Sequence, residues 1–213
     1  NLTNACDKDA FFENVTSNPK FLYKAFHHFD NYDVIDFFES LGLKTKIERG
    51  NRVFPVSDKS SDVIAVLKKE MERLGVDIRY NSEVSDIIIE NGCFYGLKLK
   101  NSDEIHPADA VIVATGGLSY PLTGSTGDGY RFAKKAGHTV TDLYPSLVPL
   151  YVSDSFVKDL MGLSLKNIAI TVLAGQKEVY KDFGELLFTH FGVSGPVILS
   201  ASRHILEYNY RNV

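Results

Sequence analysis

Ala110-Val111-Ile112-Val113-Ala114-Thr115-Gly116-Gly117-Leu118-Ser119-Tyr120-Pro121 is the stretch on which the fold of this chain turns. Its first five residues form an unbroken apolar run, the pattern of a strand buried on both faces in a parallel sheet. The run opens into a glycine-rich loop over residues 115–129, and a helix is expected over 130–136, with Asp128 near its start and Gly137 at its end. Strand, long glycine loop, helix is the order of an α/β fold, whose ligands gather at the carboxyl edge of the sheet. Adjacent glycines carry no Cβ and let backbone N–H groups approach a flat ring or a phosphate closely. A plain structural turn is the alternative reading of the same glycines.

Upstream, residues 20–41 read as helical, with Phe21, Leu22, Phe26, Phe29, Ile35, Phe37, Phe38 and Leu41 apolar and Gly42 as the C-terminal cap. Residues 45–56 are extended. Ser57 and Asp58 are expected to cap a second helix, whose Ile64, Leu67, Met71 and Leu74 make one stripe before Gly75 closes it. Val76, Ile78 and Tyr80 then alternate with polar residues, as in a half-buried strand. Segments 84–89, 94–99 and 104–106 read as a three-stranded meander. Asn91-Gly92 supplies its first turn, because both residues tolerate the positive φ of a type I′ hairpin. After Pro145 and Pro149 the chain turns to short β segments at 147–152, 168–173 and 178–180, and a last helix is expected from Gly195-Pro196. The expected domains are therefore 1–145 and 146–213.

A hydrophobic content of 44% over 213 residues suits a folded core. The net charge of -4, from 27 acidic and 23 basic residues without a basic block, argues against a nucleic-acid partner. Cys6 and Cys93 lie far apart with no Cys/His cluster, so neither a zinc site nor a disulfide framework is indicated and a cytoplasmic location fits. No apolar run reaches the roughly 18 to 20 residues of a membrane span. The chain starts at Asn1 without methionine and ends at Arg211, Asn212 and Val213 without a stop signal, so both ends are expected to be truncated.

Other motifs exclude more than they assign. Residues 123–129 lack the Gly-Lys-Ser/Thr ending of a triphosphate loop, although their glycines and threonines can present donors to an anion. Ser194 stands directly before Gly195-Pro196 and not in G-x-S-x-G, so a nucleophile elbow with His190 is not supported. His27 and His28 lack a third ligand. Arg49 and Arg52 could rim a carboxylate or phosphate, with solvated loop arginines as the default.

Taken together, Asn1-Leu2-Thr3-Asn4, the segments 48–57 (ERGNRVFPVS), 114–121 (ATGGLSYP) and 123–130 (TGSTGDGY), and 187–196 (LFTHFGVSGP) resemble the BaiN-like flavoproteins, in that family's order and over nearly the whole chain. The resemblance implies a glutathione-reductase-like FAD domain, interrupted by an inserted β-barrel domain. It implies that Asn1 and Asn4 lie by the flavin, that the backbone of Val84 meets the adenine, and that Thr115, Gly116 and Gly117 pass the cofactor. It further implies that Thr126, Gly127 and Asp128 lie near the substrate side. The family's G-x-G-x-x-G turn is not found in this sequence, so pyrophosphate binding is expected to be missing and the isolated chain to be colourless.

The function so implied is hydride transfer between NAD(P)H, FAD and a small unsaturated or carbonyl substrate, the cofactor carrying the chemistry. No catalytic residue is assigned; Tyr120 and His190 are the candidate proton donors. A flavin-dependent amine oxidase and a non-catalytic α/β plus β-barrel binding module are the alternatives. The sequence leaves the oligomeric state open.

Overall fold

The computed structural model describes residues 1–15 and 17–206; the expected open end at Arg211, Asn212 and Val213 lies outside them. The chain divides into two units, Asn1–Val84 with Leu99–Asn101, and Ser85–Lys98 with the chain from Ser102 onward.

In the first unit, strand β1 (Thr3–Asn4) is followed by helices α1 (Lys8–Glu13), α2 (Tyr23–His28) and α3 (Asn31–Ser40). The single helix expected over 20–41 is thus corrected to a 3-10 turn at Pro19–Leu22 and two helices. Asp30 makes the break. Its carboxylate accepts from the Tyr32 and Asp33 amides at 2.7 and 2.9 Å, and Asp33 accepts from the Asp30 amide at 2.7 Å. This reciprocal capping box begins a new helix where periodicity alone continues the old one. Asn31, buried behind it, donates through Nδ2 to the carbonyls of Asn4 and Cys6 and fixes β1 against α3.

Strands β2 (Thr45–Glu48) and β3 (Arg52–Pro55) form a hairpin, and the antiparallel sheet runs β1-β3-β2 around the fully buried Val53. Helix α4 (Ser60–Arg73) follows. Ser57 and Asp58 do not cap it, which is a second correction. Asp58 has φ +58° and takes the Lys46 ammonium at 2.8 Å, so its carboxylate is turned to the hairpin and Lys59 stands at the cap position. A third correction falls on residues 76–80, which carry no strand; Val76 and Tyr80 are exposed. Alternation marks a strand only where a neighbouring strand supplies the ladder.

In the second unit, β4 (Val84–Glu90), β5 (Cys93–Leu99) and β6 (Ile105–Pro107) form the expected meander in the order β4-β5-β6, with Val84 and Leu99 themselves counted in the first unit. Asn91 and Gly92 adopt φ +52° and +79°, as the hairpin turn requires. Gly96 lies against β6 so closely that a Cβ there would stand 2.6 Å from the His106 carbonyl oxygen.

The buried parallel strand expected over 110–114 is not formed. The segment has no ladder, Ile112 is 93% exposed, and the strand pairs formed elsewhere run antiparallel. An apolar run is a necessary feature of a doubly covered strand but does not itself supply the hydrogen-bonded neighbours.

Helix α5 (Asp128–Lys135) follows the glycine loop, with Gly127 at its N-cap and Gly137 beyond its end. Next come β7 (Leu150–Tyr151), α6 (Phe156–Asp159), the long hairpin β8 (Ser164–Ala174) and β9 (Lys177–Phe188), β10 (Gly192–Ser194) and α7 (Pro196–His204). The sheet runs β7-β10-β9-β8, and α7 packs on it through Val197 and Ile198 against Leu186, Ile168, Ile170 and Phe188. Pro196 sits in the first turn of α7, where its missing N–H breaks no intrahelical bond.

Candidate functional site

Two loops of the second unit meet at their glycines. Gly116, at φ +73°, faces Ser125, whose Oγ would lie 2.7 Å from a Cβ at 116. A Cβ at Gly129 would meet Thr115 Oγ1 at 2.9 Å, and one at Gly127, φ +84°, would meet Leu118 Cδ2 at 2.6 Å. A Cβ at Gly117 would stand 3.3 Å from the Tyr130 hydroxyl. The glycines therefore first let the two loops lie against each other at a separation that side chains would prevent.

What the packing leaves facing outward is backbone. Among the described residues the amides of Thr115, Gly116 and Gly117 donate to no protein acceptor, and Thr115 and Gly116 are exposed. Asp128, by contrast, has its carboxylate engaged. It accepts from Thr126 Oγ1 at 2.8 Å and from Arg131 Nη2 at 2.9 Å, while Arg131 Nη1 donates to the Ser85 carbonyl at 2.8 Å. One turn further along α5, the Lys135 ammonium pairs with Asp86 and holds that carboxyl below its ordinary range, against the opposing effect of burial. The Arg131 hydrogen bond to Ser85 and the Lys135–Asp86 ion pair tie α5 to β4.

The structure thus brings together Thr115, Gly116, Gly117, Thr126, Gly127 and Asp128. Asn1, Asn4 and Val84 belong to the first unit. There the Asn4 amide donates to the Gly50 carbonyl at 2.8 Å and its Oδ1 accepts from the Cys6 amide, so this side chain holds the hairpin. Asn1 borders a cavity of about 390 Å³ with Pro55, Ser60 and Ile64. Val84 is half-buried at the head of β4.

Beside the glycine loop, a cavity of about 710 Å³ is lined by Leu118, Tyr120, Tyr130, Tyr144 and Leu147, among others. Tyr120 sits at φ +56° ahead of a 3-10 turn and is largely exposed. His190 lies elsewhere, in the β9–β10 turn, edge-on to Phe191. Sequence reasoning missed Tyr130 and Arg131. The i,i+3 spacing of Asp128 and Arg131 was the available signal for the latter.

The residues present fit a dinucleotide in one respect: among the described residues they offer backbone N–H groups without a protein acceptor around the positive-φ Gly116, and the neighbouring Asp128 carboxylate is engaged by Thr126 and Arg131. Mixed α/β content with an antiparallel meander leading to such a loop makes this an α/β protein. The HI0933-like protein Rossmann domain matches residues 1–201, and the chain belongs to that family, as its resemblance to the BaiN-like flavoproteins implied. It is 32% identical over 211 residues, 99% of this chain and 50% of the relative, to the 3-dehydro-bile acid delta(4,6)-reductase of Clostridium scindens. It is 32% and 27% identical to the ribosomal RNA dihydrouridine synthases of Haemophilus influenzae and Escherichia coli, over 89% of this chain and 47% and 46% of those proteins. The chain spans about half the length of these curated relatives. Among the described residues no helix is long and apolar enough to cross a membrane.

Proposed function

We infer that this chain belongs to an FAD-dependent oxidoreductase that saturates a carbon–carbon double bond conjugated to a carbonyl, with NAD(P)H as reductant. The observation that carries the reading is the joining of the Thr115–Gly116–Gly117 backbone to the Thr126–Gly127–Asp128 loop, in a chain that resembles a delta(4,6)-reductase over nearly its whole length. Dihydrouridine differs from uridine by the same kind of saturated bond, so the relatives share a reaction type across dissimilar substrates. The net charge of -4 and the absence of a basic block favour a small molecule over ribosomal RNA.

When bound, FAD supplies two-electron transfer between the nicotinamide and the substrate. The residues of this chain do the rest. Thr115, Gly116 and Gly117 hold the cofactor through backbone N–H donors. The Asp128–Arg131–Ser85 bracket keeps α5, and so the Gly127 loop, in register. The division into 1–145 and 146–213 and a cytoplasmic location accompany this reading.

Anaerobic titration of the FAD-loaded full-length protein tests it. Bleaching of the flavin by NADH or NADPH and its recovery on adding an enone are expected. Bleaching by primary amines instead would establish the oxidase alternative, and failure to retain FAD would leave the binding-module alternative.

A further inference from the structure

Among the described residues, none that lines the cavity of about 710 Å³ beside Gly117 is charged. Leucine, proline and tyrosine side chains make up most of it, so it offers flat apolar surfaces and nothing to neutralise an ion. A single hydroxyl is placed differently from the rest. Tyr130 is half-buried on the first turn of α5, its hydroxyl sits at Gly117, and among the described residues no protein group hydrogen-bonds to it. Tyr120, in contrast, is 81% exposed and water can satisfy it. The far wall is anchored, since the Val148 amide donates at 3.0 Å to Ser202, a fully buried residue of α7.

We propose that this cavity receives the substrate, an uncharged, flat, polycyclic or cyclic ketone, and that the Tyr130 hydroxyl donates a hydrogen bond to its carbonyl oxygen. The inference rests on the reductase reading and adds to it the substrate class and the residue that orients it. The side of Gly117 without a Cβ is what lets the phenol reach the loop; any other residue there would meet the hydroxyl. A donor at the carbonyl both selects ketones over hydrocarbons and favours the electron-rich oxygen that develops as an adjacent double bond is reduced.

The test uses two probes on the full-length protein, with and without FAD: testosterone, which carries a ring enone, and its analogue lacking the C3 carbonyl. Isothermal titration reads the affinities, and no turnover is needed. The wild type should bind the ketone about 5- to 10-fold more tightly than its deoxo analogue, the worth of one neutral hydrogen bond. Tyr130→Phe should collapse that ratio to near one while leaving deoxo binding unchanged, and Tyr120→Phe should preserve it. A ratio that survives in Tyr130→Phe, failure of both probes to bind, or exclusion of both by bound FAD would each overturn the proposal. Reduction of the flavin by NAD(P)H reports on the reductase reading separately, so the two can fail independently.

Discussion

Gly116 and Ser125 occupy each other's space: the serine hydroxyl stands 2.7 Å from where a Cβ on residue 116 would be. Gly116 also has φ +73°, a left-handed backbone that costs an L-residue roughly 1–2 kcal/mol. Gly116→Ala should therefore destabilise the chain by more than the backbone effect alone. Adding Ser125→Gly should return only the steric part, roughly 1 kcal/mol, as a positive coupling between the two sites. Urea unfolding of the four variants measures this; strict additivity would show that the loops do not touch.

Asp30 decides where α3 begins. Asp30→Ala removes two accepted hydrogen bonds at the N-terminus of α3 and should cost about 1 kcal/mol. Asp30→Asn or Asp30→Ser should keep most of the stability, since either can cap. A shift in the urea midpoint at unchanged slope is the expected signature.

Such local chemistry was the most legible part of the sequence. Asn91-Gly92 announced its hairpin, Gly42, Gly75 and Gly137 each close a helix, and Pro196 opens one. The capping box at Asp30 and Asp33 is equally local, but apolar periodicity runs straight across it. What could not be read was partnership. Residues 76–80 and 110–114 have the side-chain patterns of strands, yet a strand is a property of two segments, and one segment's composition does not reveal its neighbour. The site shows the same limit. Thr115 to Gly117 and Thr126 to Asp128 were legible separately as glycine loops, whereas their contact through Ser125, Leu118 and Tyr130 depends on the turn at Pro121–Thr123.

The ion pair between Asp86 and Lys135 should give the chain a small acid-sensitive contribution. Its carboxyl is held below the ordinary 3.8 by the lysine, so the stabilisation is present above that pH and is lost as pH falls through the lowered value. Both partners are about a third or more exposed, and the effect should stay below about 1 kcal/mol and shrink in high salt. Comparing Asp86→Asn with the parent from neutral to acid pH checks it: the gap between them should close in acid.

Tyr180 supplies the opposite limb. Burial, reinforced by its hydrogen bond to Asp182 at 2.7 Å and by that carboxylate's negative charge, raises its phenol from 10.0 to about 12. The sign follows from which form the fold prefers. The folded state holds the proton more tightly than the unfolded chain, so the stabilisation is complete below pH 10 and declines as pH climbs toward about 12. Tyrosinate absorbance should show one phenol titrating after the exposed tyrosines, and Tyr180→Phe should delete that late step. Asp182→Asn should move it to lower pH without deleting it, because burial persists when the charge is gone. Tyr180 also stacks on His204 at 4.6 Å between ring centroids, so the late titration reads the docking of α7 on its sheet. A late step unaffected by Tyr180→Phe would place the raised phenol elsewhere.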